Sequence, residues 1–257
     1  MIRQSVMALC DGPRPDDLVQ WLVYQQIVPG ARGMLMVHAL PKGGELPAHR
    51  LSAAESVTFV LSGGGEWTPG QPAFSLAPGE GVFNPPGTCR AFRANGEGAV
   101  LLVAYGGTAD PLEAMPCAAD GITGGGRRVV RAAAPLDDSA LGAAGGFIDM
   151  GVHWLATTQT VGACALVLAT STFTPGGSHD LHRHPHADEF FLVLQGGGEH
   201  LTQDGPVRLN PGDMAYIPAG EWHGFRTDPG VTTRTVYGYL GAGSLEQAGY
   251  ELLEGKA

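Results

Sequence analysis

The chain carries one segment twice. Residues 43–93 align with residues 176–226 at a constant offset of 133, without a gap over 51 positions. Gly43, Gly44, His49 and Arg50 fall on Gly176, Gly177, His182 and Arg183, and VLSGGGE (60–66) falls on VLQGGGE (193–199). Leu76, Pro78 and Gly79 meet Leu209, Pro211 and Gly212; Pro85 and Gly87 meet Pro218 and Gly220; Phe92 and Arg93 meet Phe225 and Arg226. A gap-free match of this length implies two copies of one fold within the 257 residues.

Each copy reads as β structure. VTFVLS (57–62) and FFLVLQ (190–195) are short apolar runs ending in GGG, as a strand running into a turn would. FSLAPGEGVFNPPG (74–87) and VRLNPGDMAYIPAG (207–220) each read as strand, Pro-Gly turn, strand and second turn. The 40 glycines and 19 prolines fall between such runs rather than in long tracts, which suits many short strands. Helix signals are sparse. They predict short helices over 110–115 (DPLEAM) and 244–255 (SLEQAGYELLEG), the second capped by Ser244 and stopped by Gly255.

Composition removes several function classes. A formal net charge of −10 and no basic run beyond Arg127, Arg128 and Arg131 leave nothing to neutralise phosphates, so no nucleic-acid partner is expected. Cys10, Cys89, Cys117 and Cys164 form no CxxC pair, which leaves zinc-ribbon and redox motifs unsupported and suggests no disulfide framework. Without a secretion-type apolar region at the N-terminus or a membrane-length apolar run, the expectation is a cytoplasmic protein with no membrane partner.

The second copy concentrates metal-binding residue types: G176-x5-H182-x-H184-x4-E189-x6-G196, then G212-x5-P218-x-G220-x2-H223. This resembles the two consensus motifs of the cupin superfamily, with Thr227 standing where the family often has Asn. The resemblance covers both repeats and implies an all-β bicupin of two tandem double-stranded β-helix (jelly-roll) barrels. It predicts a degenerate N-terminal barrel over 1–118, a Gly/Ala-rich linker over 119–146 and a metal-binding C-terminal barrel over 147–257. The implied ligands of one divalent metal are His182, His184, Glu189 and His223.

Local geometry agrees with that set. Residues i and i+2 of a strand share a face, so His182 and His184 point into the barrel while Arg183 points out. Imidazole with one carboxylate suits Fe(II), Mn, Ni, Co, Cu or Zn. Four protein ligands leave an octahedral ion two open positions. His186 continues the alternating series and is a candidate ligand or acid/base group, beside Glu189 as ligand and intermittent base. His179 and Asp188 read as rim residues. Projected back by 133, the ligands become His49, Leu51, Ser56 and Arg90, so the first copy is expected to hold no metal. Glu55 lies one residue from the glutamate position and on the other face. The first barrel then serves as scaffold, dimer surface, or an anion pocket built on His49 and Arg90.

A metal with open positions can support oxygenation, isomerisation, decarboxylation or hydrolysis. The three-histidine, one-glutamate set resembles dioxygenase cupins, so the expected function is a dioxygenase-type oxidoreductase acting on a small oxygen-chelating substrate. The alternatives are an isomerase, a lyase or decarboxylase, a ureidoglycine-aminohydrolase-like hydrolase, or a bicupin that only binds small ligands. Phe173, Phe191, Tyr216, Trp222 and Phe225 are the expected substrate-pocket aromatics. A homodimer is expected from the family resemblance.

Overall fold

The computed structural model describes residues 1–6, 18–68, 73–107, 114–117, 128–131 and 142–253. In the first half the strands are β1 (Ile2–Ser5), β2 (Leu18–Val23), β3 (Gly33–Leu40), β4 (Glu45–Leu51), β5 (Glu55–Trp67), β6 (Phe74–Leu76), β7 (Glu80–Asn84), β8 (Arg90–Gly106), β9 (Ala114–Pro116) and β10 (Arg128–Arg131). In the second they are β11 (Phe147–Ala156), β12 (Leu168–Arg183), β13 (Asp188–Gln195), β14 (Gly198–Thr202), β15 (Val207–Leu209), β16 (Asp213–Ile217), β17 (His223–Thr227), β18 (Thr233–Leu240) and β19 (Glu251–Leu252). Helices α1 (Thr158–Val161) and α2 (Leu245–Ala248) are single turns. The strands form two curled antiparallel sheets, one per repeat, as cupin barrels do.

Alternation along the strands sorts the apolar residues into three cores. Met34, Met36, Val60, Trp67, Phe92 and Val103 fill the first barrel. Val167, Phe173, Phe191, Val193, Phe225 and Tyr237 fill the second. The alternate residues of the same strands make a third core shared by both halves: Leu35, Val57, Phe59 and Leu102 pack with Leu168, Phe190, Leu192 and Val236. Each sheet is thus apolar on both faces, which explains the nearly continuous runs in β5 and β13.

One strand crosses between the halves. β1 pairs with β16 of the second barrel, and β10 pairs with β7, its equivalent in the first. Residues 2–5 therefore belong to the second sheet. The stretch 119–146, read as linker, contributes a strand to the first; 118–127 and 132–141 lie outside the described residues.

Two buried carboxylates fasten the halves at related positions. Glu55 Oε1 accepts the Cys164, Ala165 and Leu166 amides at 2.9, 2.6 and 2.8 Å. Asp188, 133 residues on, accepts the Arg32 amide at 2.8 Å, the Tyr216 hydroxyl at 2.6 Å and the Ala219 amide at 3.0 Å. Glu55 faces away from the first barrel's interior, as its register requires. The GGG segments turn at Gly63 and Gly196, at φ +70° and +82°. A Cβ at Gly63 would lie 2.0 Å from the Gly98 carbonyl oxygen, and one at Gly196 2.5 Å from that of Thr232, so both backbones need glycine.

The helix expected over 244–255 is corrected, and most of the one expected over 110–115 lies outside the described residues. Residues 110–113 lie outside the described residues, and Ala114 and Met115 lie in β9, paired with Leu51 and Arg50. Ser244 does cap a helix, its Oγ accepting the Gln247 amide at 3.3 Å. That helix ends at Gly249, however, and β19 then pairs with His182 and Arg183. There an open sheet edge outweighs weak local helix propensity. Cys89 and Cys117 form a disulfide that ties β9 to the start of β8, a pairing the sequence spacing did not suggest.

Candidate metal centre

Four side chains from three strand regions converge at the mouth of the second barrel. His182 and His184 stand at the end of β12, Glu189 is the second residue of β13, and His223 opens β17 opposite His182. One donor atom from each lies within 4.8 Å of all the others, and all four residues are buried.

The histidines are pre-oriented. Nδ1 of His182, His184 and His223 faces the carbonyl oxygens of Asp180, Gly249 and Glu221 at 2.8, 2.6 and 2.9 Å. A carbonyl oxygen only accepts, so each Nδ1 carries a proton and each ring turns its Nε2 edge to the centre. Nε2 of His182 is buried with no hydrogen-bond partner among the described residues. His223 Nε2 and His184 Nε2 lie 3.1 and 3.2 Å from Glu189 Oε2. Three Nε2 atoms and a carboxylate directed at one point are the donor set of a single divalent cation.

The electrostatics agree. Burial works to raise the Glu189 carboxyl, but the His223 and His184 rings outweigh it and hold the group well below the ordinary carboxylate range. Burial works to lower the His223 ring, and the Glu189 carboxylate outweighs it in turn, raising that ring's affinity for a proton. Burial, helped by its neighbouring rings, keeps His182 well below its ordinary value and hence neutral.

A narrow cavity opens beside Glu189. Phe147, Met150, Trp154, Phe173, Phe191 and Tyr237 wall it, and about 20 Å³ admits the centre of a water molecule. His179 stacks on His182 at 3.8 Å and contacts the Tyr250 hydroxyl at 3.1 Å. Burial pushes the His179 ring down to about 3. Tyr239 packs 4.6 Å from the His184 ring.

The five expected pocket aromatics separate. Phe173 and Phe191 line the cavity, and Phe225 packs behind both with ring centroids at 5.0 Å. Tyr216 lies in the shared core and donates to Asp188, and Trp222 stacks outside on the Arg183 guanidinium at 4.7 Å. His186 is exposed in a turn, because the strand breaks at Pro185, and it is not part of the centre. Asp188 is a fastener between the halves rather than a rim residue. Tyr237, Tyr239 and Tyr250 escaped the sequence reading: the first two sit in a plain apolar strand, and the third lay inside a predicted helix. The alternation of Tyr237 and Tyr239 was the available signal.

Comparison with known proteins agrees with this construction. Protein SchB of Streptomyces halstedii is 33% identical over 86 residues, 34% of this chain and 62% of that protein. The HTH-type transcriptional activator RhaR of Pectobacterium carotovorum is 39% identical over 51 residues, 20% of this chain and 18% of that protein. The chain thus spans less than two thirds of the length of these curated relatives. Among solved structures, Bacillus subtilis oxalate decarboxylase at pH 4.6 superposes with a TM-score of 0.70 at 13% identity, over 98% of this chain and 78% of that one. A second structure of that enzyme, described by its Mn(II) centres, gives 0.69 at 12% over 98% and 79%. Two segments, residues 36–105 and 169–234, match the cupin domain family. They comprise more than half the chain and fall one in each barrel, and the chain belongs to that family.

Proposed function

We propose that this chain is a metal-dependent enzyme acting on a small organic substrate that chelates the metal through adjacent oxygens, and that it works as a dioxygenase-type oxidoreductase. The observation that carries the reading is the set of three inward Nε2 atoms and one carboxylate opening on an aromatic-walled cavity. A bound metal with open positions supplies Lewis acidity and, where it is redox-active, electrons for dioxygen chemistry. The chain's own residues do the rest. His182, His184, His223 and Glu189 hold the ion. The Glu189 carboxylate is placed to take a proton from bound substrate and return it. Phe173, Phe191 and Tyr237 keep bulk water away from the reacting atoms.

The cavity's small volume favours a second reading, decarboxylation of a small di-acid, the class of substrate named for the Bacillus subtilis structures. Elemental analysis, an oxygen electrode and headspace CO2 measurement decide between them. Oxygen uptake with candidate diols, diketones and catechols supports the first reading. CO2 release without net oxygen uptake assigns a lyase, and turnover with neither assigns an isomerase or hydrolase. His223→Ala is expected to lose the metal and at least about a hundredfold in rate, as removal of a metal ligand or its support commonly does. Full metal retention in that variant overturns the ligand set. The proposal extends to a cytoplasmic homodimer. Size-exclusion chromatography tests the dimer, and a Cys89–Cys117 bond formed quantitatively in cells would place the chain in an oxidising compartment instead.

A further inference from the structure

The first barrel keeps a charged group where the second keeps its last ligand. Arg90 opens β8 opposite His49, as His223 opens β17 opposite His182. Its side chain is completely buried. A guanidinium stays protonated in proteins, and a buried cation is costly unless an anion or a full set of acceptors meets it. Arg90 has neither among the described residues. Among the described residues its guanidinium lies over the Tyr105 ring at 4.8 Å and bonds the Tyr105 hydroxyl, while Nε and Nη1 have no acceptor. Glu55, the carboxylate nearest in strand order, is committed on the opposite face to the amides of the second half.

The surroundings are supplied with idle polar atoms. Ser56 stands opposite both Asn84 and Tyr105 in the register, on the inner face. Ser56 Oγ and Asn84 Oδ1 are buried without partners. If Tyr105 accepts from Arg90, its own O–H is left to donate. A fixed cation and two hydroxyl donors therefore face an interior that holds no counter-charge among the described residues. Met34, Leu51 and Phe92 pack the rest of that interior, which limits what fits.

We propose that the first barrel binds a small anion, a carboxylate or oxoanion no larger than formate, bicarbonate or nitrate, through Arg90 with Ser56 and Tyr105 as supporting donors. The site is independent of the metal reading of the second barrel. β9 lies across its mouth, paired with His49 and Leu51 and tied by the Cys89–Cys117 bond to the residue before Arg90.

Thermal unfolding of the metal-loaded protein tests the site, with sodium formate as probe against sodium chloride at equal ionic strength. Wild type is expected to show a saturable rise of about 5 °C in formate, the size a ligand well above its Kd gives a chain of this length. Arg90→Met is expected to show no formate-specific rise, while in chloride it unfolds no earlier than wild type. Should Arg90→Met not fold, a formate soak of wild-type crystals replaces it, with planar difference density expected in contact with the guanidinium. No formate-specific rise in wild type, an equal rise in Arg90→Met, or formate density confined to the surface would each overturn the proposal.

Discussion

Replacing Glu55 by alanine tests how the two halves are held together. The carboxylate is 4% exposed and accepts three amides from the stretch that leads into β12. A hydrogen bond to a charged group contributes about 1.5–3 kcal/mol net. Cys164 is exposed, so its amide can turn to water once the acceptor is gone. The Ala165 and Leu166 amides, at 2.6 and 2.8 Å, lose their partner at the shared core. Two stranded donors suggest a loss of about 3–6 kcal/mol, reduced because alanine no longer buries a charge; about 3–5 kcal/mol is the expected result. For a chain of this length that lowers Tm by roughly 6–20 °C. Glu45 provides the contrast. It pairs with Arg93 at 3.5 Å with both side chains largely exposed, and Glu45→Ala should cost less than about 0.5 kcal/mol. Guanidinium denaturation of the three proteins measures the difference. A Glu55→Ala loss below about 1 kcal/mol, or one no larger than that of Glu45→Ala, refutes the account of this carboxylate as a fastener.

Two further substitutions read other parts of the fold. Gly196→Ala forces a Cβ to within 2.5 Å of a backbone oxygen at φ +82°, and should cost about 2–4 kcal/mol by denaturant midpoint; a loss under about 0.5 kcal/mol would show that the turn relaxes freely. Cys117→Ser opens a loop of 28 residues and should cost about 3–4 kcal/mol on the chain-entropy account, checked by calorimetry with and without reductant. Wild type in reductant that unfolds at its oxidised temperature would contradict it.

The sequence carried the site more completely than the packing around it. The four ligands occupy two short motifs whose spacing maps directly onto a strand end and a hairpin, so local alternation suffices to bring His182 and His184 to one face. The divergence of the first half was equally legible, because the repeat places Ser56 and Arg90 where the second half has Glu189 and His223. The crossing of β1 and the pairing of β10 were not visible. IRQS (2–5) and RVVR (128–131) are short, polar or mixed, and their partners lie far along the chain, so nothing local marks them. His186 and the helix expected over 244–255 failed for one reason: alternation and propensity continue on paper past Pro185 and Gly249, where the backbone turns. Tyr250 was missed with them. Cys89 and Cys117 came together only because β9 folds back over β4.

The pairing of β1 with β16 sets an order of events during synthesis. β10 is made soon after β7, so the first sheet can complete its edge almost as it leaves the ribosome. β1 is made well before β16 and has to wait for it, with Arg3 and Asp213 separated by 210 residues. At about 5–20 residues per second that interval is about 10–40 s. Throughout it β1 lacks that partner strand, and the edge of the second sheet is completed only when residues 2–5 meet residues 213–216.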